Sequence, residues 1–106
     1  MLNMINIAQE EKNILNTLGN RLKEARLRRN ESQEIFAQRL GLSRQSYSKM
    51  EKGIPTVPLG YWLKASNTLG RLNTWKEVLQ EKQNLFNQFE QQQPLRKRAG
   101  KKEKNK

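Results

Sequence analysis

The chain has 106 residues, about one domain's worth, with 34% apolar and 29% charged residues and a formal net charge of +11. It contains no cysteine, no histidine and no aspartate, which excludes a disulfide scaffold, cysteine- or histidine-based metal sites and histidine-dependent acid–base chemistry. Glutamates alone make a poor Mg²⁺ or Ca²⁺ site, so neither an enzyme, a metal nor a cofactor is expected, and the charge excess points to an anionic partner.

No apolar run approaches the ~20 residues of a membrane span. The segment Met1–Glu11 lacks the basic-then-apolar pattern of a secretory leader. The expectation is a cytoplasmic protein, associated with the nucleoid if its polyanion is DNA. The charge is unevenly placed: −1 over residues 1–19, +5 over 20–53, +1 over 54–95 and +6 over 96–106.

Residues 1–16 read as a lead-in segment. Ile7, Ile14, Leu15 and Leu18 can share a face, which makes a weak helix running into the next. From Thr17, Leu18, Leu22 and Ala25 recur at helical spacing, with Arg21, Lys23, Glu24 and Arg28 elsewhere on the wheel. Asn30 is the stop. Ser32 is placed to cap a second helix, because its hydroxyl can accept a free N–H of the first turn. Glu34 lies where the helix dipole favours an anion. Phe36, Ala37 and Leu40 share the inner face, and Gly41 sits where the chain needs positive φ. Leu42 points inward.

Ser43 caps a third helix, Arg44 to Lys52, with Tyr47 and Met50 on its inner face and Gly53 at its end. Residues 54–58 form a loop with two prolines. Leu59, Trp62, Leu63, Ser66 and Leu69 make a fourth helix, ended by Gly70. Asn73 or Thr74 caps a fifth, over residues 73–93, striped by Trp75, Val78, Leu79, Phe86 and Phe89. Gln91–Pro94 breaks it, and residues 94–106 form a basic tail, disordered when free. No strand alternation and no repeat is present. The fold class is all-α, with four to five helices and a flexible tail; residues 17–93 make the domain.

Two short helices meeting at Gly41 follow the helix-turn-helix plan. Phe36, Ala37, Leu40, Leu42, Tyr47 and Met50 lock the crossing angle, and small Ala37 permits close approach. The outer face of the third helix, Arg44, Gln45, Ser48 and Lys49, is then free to enter a major groove. Arginine and lysine can donate to guanine O6/N7, and glutamine can pair with adenine N6/N7. The bland alternative for this set is a solvated helix face. For Trp62 and Trp75, core or dimer packing outweighs base stacking, because both lie on apolar stripes.

The run Ser32-Gln33-Glu34-x-Phe36-Ala37-x-x-Leu40-Gly41-Leu42-Ser43-Arg44-Gln45-Ser46-x-Ser48-x-Met50-Glu51-x-Gly53 resembles the Cro/C1-type (Xre) helix-turn-helix family of repressors, over roughly residues 17–70. The resemblance implies a lambda-repressor-like domain that binds double-stranded DNA. It implies that Gln33 touches the DNA backbone and buttresses the recognition helix, that Arg44, Gln45 and Lys49 read bases, and that Ser46 and Lys52 meet phosphates. It also implies a buried salt bridge between Arg26 and Glu51. Three positions depart from the pattern. Ile35 stands where a polar residue is usual, Tyr47 replaces an aliphatic one, and Gly60 stands where a helix former is usual, which would shorten the fourth helix.

The function expected is repression at an operator, bound by a homodimer on a palindrome with half-sites about one helical turn apart. Trp75, Leu79, Phe86 and Phe89 of the fifth helix are assigned the dimer contact. A looser resemblance, carried by Leu69–Leu72 through Arg96–Arg98, is to antitoxins encoded beside kinase-like toxins of the HipA type. Such a protein represses its own operon and binds the toxin. The alternatives are a phage or mobile-element repressor without a toxin partner, and a protein–protein adaptor that no longer binds DNA. For the basic tail, phosphate binding, partner binding and solubility all remain open.

Overall fold

A computed structural model describes residues 5–81. Among the described residues four α-helices follow in chain order: α1 Gln9–Arg28, α2 Gln33–Leu40, α3 Arg44–Glu51 and α4 Leu59–Thr68. A 3₁₀ turn, Leu72–Glu77, comes after them. No strand occurs among the described residues. The chain divides into two compact units, Met1–Lys76 and Glu77–Lys106, and all four α-helices belong to the first.

Residues 9–16 of the lead-in segment and the first helix are one element, since α1 runs unbroken from Gln9 to Arg28. The Glu11 carboxylate accepts the Ala8 N–H at 2.9 Å and so satisfies one donor at its start. Ser32 and Ser43 are the caps of α2 and α3: their hydroxyls accept Ile35 N–H and Ser46 N–H, each at 3.1 Å. Each helix is followed by a residue of left-handed backbone, Asn30 (φ 60°), Gly41 (φ 74°), Gly53 (φ 72°) and Gly70 (φ 73°). At Gly41 the reversal lets Leu42 N–H return to the Ala37 carbonyl at 3.0 Å, which closes α2 and turns the chain inward within two residues.

The apolar faces converge on one small core of Leu22, Phe36, Ala37, Leu40, Tyr47, Met50, Trp62 and Ala65, all buried. Phe36 and Tyr47 meet with ring centroids 5.3 Å apart at 55°, the tilted geometry aromatic pairs favour. Leu18, Leu42, Val57, Tyr61, Leu69 and Trp75 pack around its edge. α3 lies against both α1 and α2, and α2 against α4. The α1–α3 contact is close because residue 19 is glycine. A Cβ there would collide with the Glu51 carbonyl oxygen and sit 2.9 Å from that of Met50.

Two expectations are corrected. Gly60 does not shorten the fourth helix, which starts at Leu59 and runs ten residues; a Cβ on Gly60 would meet nothing within 4 Å. The expected fifth helix is not an α-helix over its described part. Residues 72–77 form a 3₁₀ turn, and Leu79 adopts φ 68°. The Thr74 hydroxyl does not cap a new helix. It donates back to the Arg71 carbonyl at 2.7 Å. Asn73 and Thr74 are weak helix formers, and the Trp75 indole N–H is held by Ser66 Oγ at 2.7 Å. The remainder of 73–93, with Phe86 and Phe89, and the tail 94–106 lie outside the described residues.

Candidate nucleic-acid interface

α3 has eight residues, and its two faces have no residue in common. Tyr47, Met50 and Glu51 are buried. Arg44, Gln45 and Lys49 are exposed, as is Lys52 in the cap, while Ser46 and Ser48 are half-buried. Positions 44, 45, 48, 49 and 52 fall on one side of the helix. This side carries three cations and no acid.

The buried side is held by an ionic cluster. Arg26 Nε donates to Glu51 Oε2 at 2.6 Å, and its second terminal nitrogen reaches Oε1 at 3.2 Å. The remaining guanidinium nitrogen donates to the Glu31 carbonyl at 2.7 Å. Tyr47 O–H donates to Glu51 Oε2 at 2.5 Å, and Gln33 Nε2 donates to Oε1 at 2.9 Å. The Glu51 carboxylate therefore accepts four hydrogen bonds. Burial pushes its pKa up, but the bonds from Arg26, Tyr47 and Gln33 outweigh burial and hold it below the usual carboxylate range. The hydrogen bond to Glu51 raises the Arg26 pKa. Burial, and then Glu51, raise that of Tyr47.

Gln33 joins this cluster to the exposed face. Its amide nitrogen is committed to Glu51, which can only accept. Its carbonyl oxygen is left for Arg44, which donates to it at 3.2 Å. Ser46 is tied into the cap, since Ser43 Oγ donates to Ser46 Oγ at 3.0 Å as well as accepting its N–H. Gln45, Ser48 and Lys49 are further along the same outer side. The structure thus brings Arg26, Gln33, Arg44 and Glu51 into one chain of contacts.

Two of the four residues assigned to a dimer contact, Trp75 and Leu79, are among the described residues. Trp75 is half-buried against the domain's own core, Leu79 is 98% exposed on a left-handed turn, and Phe86 and Phe89 are outside the described residues. Sequence reasoning missed two residues. Gly19 is one, and its position between Leu18 and Leu22 on a helical stripe was the available signal. Glu31 is the other. It binds Arg39 at 2.6 Å and Arg29 at 3.6 Å, and the Arg39 bond lowers its pKa. Among the described residues no cluster could hold a metal ion, and no helix is long and apolar enough to cross a membrane.

Residues 22–73 match the helix-turn-helix family. No curated protein and no solved structure matches the chain. The matched segment covers the end of α1, all of α2, α3 and α4, and the turn at Gly41. Residues 22–73 are thus a helix-turn-helix domain, the module of a DNA-binding transcription regulator.

Proposed function

We propose that the chain is a sequence-specific repressor that inserts α3 into the major groove of double-stranded DNA. The observation that carries this is the division of α3 into a buried face and an acid-free outer face of Arg44, Gln45, Ser48, Lys49 and Lys52. Arg44 and Gln45, at the start of the helix, are the base readers, since the N-terminal residues of such a helix reach base edges. Lys49 adds a further donor to the groove. Ser46, Lys52 and Gln33 serve the phosphates and the orientation of Arg44.

One such module spans few base pairs, so the reading includes a homodimer on a palindromic operator. The finer role, an autoregulating antitoxin that also binds a kinase-like toxin in the cytoplasm, is supported by the sequence resemblance alone.

Selection of bound duplexes from a random library tests the reading. The expected result is an enriched motif with two inverted half-sites, lost at one base pair per half-site in Arg44→Ala. An unenriched pool, or enrichment indifferent to Arg44→Ala and Gln45→Ala, overturns it. Co-purification with the product of an adjacent kinase-like reading frame separates an antitoxin from a phage or mobile-element repressor.

A further inference from the structure

α1 begins at Gln9, thirteen residues before the family match starts at residue 22. Its middle is fixed against the end of α3. A Cβ on Gly53 would lie 2.9 Å from Asn16 Oδ1 and 2.9 Å from the Leu15 carbonyl, so Asn16 borders the C-terminal end of α3 beside Lys52. From Asn16 back to Gln9 the helix continues for about 10 Å at 1.5 Å per residue.

The residues of α1 that share the Asn16 side are Gln9, Lys12, Asn13, Asn16, Asn20 and Lys23. They recur at i, i+3, i+4, i+7, i+11 and i+14, one side of a helix. All six are exposed. Four are amides, two are lysines and none is acidic; Glu10 and Glu11 fall off the stripe, while Glu24, one turn beyond Asn20, borders its far end, away from Gln9, Lys12 and Asn13. Gln9 Nε2 donates to Asn13 Oδ1 at 3.0 Å, which lines the two amides up along the helix.

Resting on the groove-binding reading of α3, we infer that this stripe is a second DNA contact, made to the sugar–phosphate backbone just outside the half-site. Two features favour a nucleic-acid backbone over a protein partner. The stripe joins the acid-free outer side of α3 through Lys52, Gly53 and Asn16, so the two form one polar surface. It also offers donors without apolar anchors, and uncharged or cationic donors are what phosphate oxygens take. Protein interfaces centre on buried apolar or aromatic side chains, and the stripe has none.

The test compares the full chain with its Gln9→Ala/Lys12→Ala/Asn13→Ala variant on the duplex that wild type selects. Circular dichroism and a thermal melt confirm that these exposed substitutions leave the fold intact. The expected result is an unchanged base preference, affinity lower by about fivefold, and a slope of log K against log salt smaller by about 0.9 for the one cation removed. Interference from phosphate ethylation should disappear at the outermost positions only.

If wild type selects a motif but affinity, salt slope and ethylation pattern do not move, the inference is overturned and the α3 reading stands. A changed base preference also overturns it, because the stripe would then read bases. If wild type selects no motif, both fail together.

Discussion

Tyr47 and Glu51 lie one turn apart on the same helix, both buried, with the tyrosine hydroxyl 2.5 Å from Glu51 Oε2. An aromatic ring that packs on Phe36 at one side thus delivers a donor to the carboxylate at the other. The helix that presents Arg44 and Gln45 is anchored through the same residues that fill the core.

Tyr47→Phe keeps the ring and removes that donor. The loss of a hydrogen bond to a charged group should cost about 1.5–3 kcal/mol of stability. Base preference should not change, because Gln33 remains on Oε1 and still holds Arg44. Urea denaturation and motif selection check the two halves. A variant as stable as wild type would mean that the hydroxyl contributes nothing to Glu51.

Removing Glu51 should be more severe. Glu51→Ala leaves Arg26 buried without its partner, a change worth about 3–5 kcal/mol. A melting temperature within a degree of wild type would mean that the pair is not formed in solution.

The same carboxylate sets an acid limit. Its pKa is lower in the folded chain than its ordinary value of 4.5. The folded state therefore binds its proton less readily than the unfolded state does. The stabilisation is fully present above about pH 4.5 and is lost as pH falls through the folded value. Glu31, held low by Arg39, acts in the same direction. Unfolding free energy measured from pH 7 to pH 3 should fall below pH 4.5, and Glu51→Gln should flatten the curve. An equal slope in both proteins would assign the acid limit to other groups.

On the outer face, Gln45→Ala should weaken operator binding by about 1–3 kcal/mol and relax preference at one base pair, the value of a bidentate base contact. Stability should be unchanged, since Gln45 is exposed. Footprinting of wild type and variant on the selected duplex decides it, and unchanged affinity and preference would remove Gln45 from the reading set.

Two glycines make opposed predictions. Gly19→Ala drives a methyl into the Glu51 and Met50 carbonyls. It should destabilise by about 1–3 kcal/mol, as overpacking does, since backbone rather than a flexible side chain must give way. Gly60→Ala meets open space inside a helix and should stabilise by about 0.4–1 kcal/mol. Denaturation midpoints of the two variants on opposite sides of wild type would bear this out.

The elements that were legible beforehand are those whose signals are local. Ser32 and Ser43 cap because a hydroxyl reaches three residues along its own chain, and Gly41 and Gly53 end helices because left-handed backbone excludes most side chains. Phe36, Leu40, Tyr47 and Met50 follow from helical spacing alone. The unreadable parts depend on what lies across the fold. The place of Gly19 on the stripe of Leu18 and Leu22 signals a close approach, but nothing near it in sequence announces that Glu51 is what approaches. Nothing near Gln33 says that its amide will face a carboxylate eighteen residues on and so turn its oxygen to Arg44. Within the expected fifth helix, residues 73–81 differ from an α-helix: apolar spacing from Trp75 to Leu79 fits a helix, while the Ser66–Trp75 bond and the left-handed Leu79 are set by tertiary and turn geometry.

The two-faced construction of α3 bears on how such a protein diversifies. Among the described residues, the side chains of Gln45, Ser48 and Lys49 form no hydrogen bond or ion pair with the frame that keeps the helix in place, so a lineage can exchange them and acquire a new target without risking collapse. Arg44 is different. It is wired through Gln33 to the buried carboxylate, and a replacement that cannot bond to the Gln33 oxygen alters both the target and the setting of its neighbour. Drift in recognition should therefore be free at 45, 48 and 49, and should come as paired changes at 33 and 44.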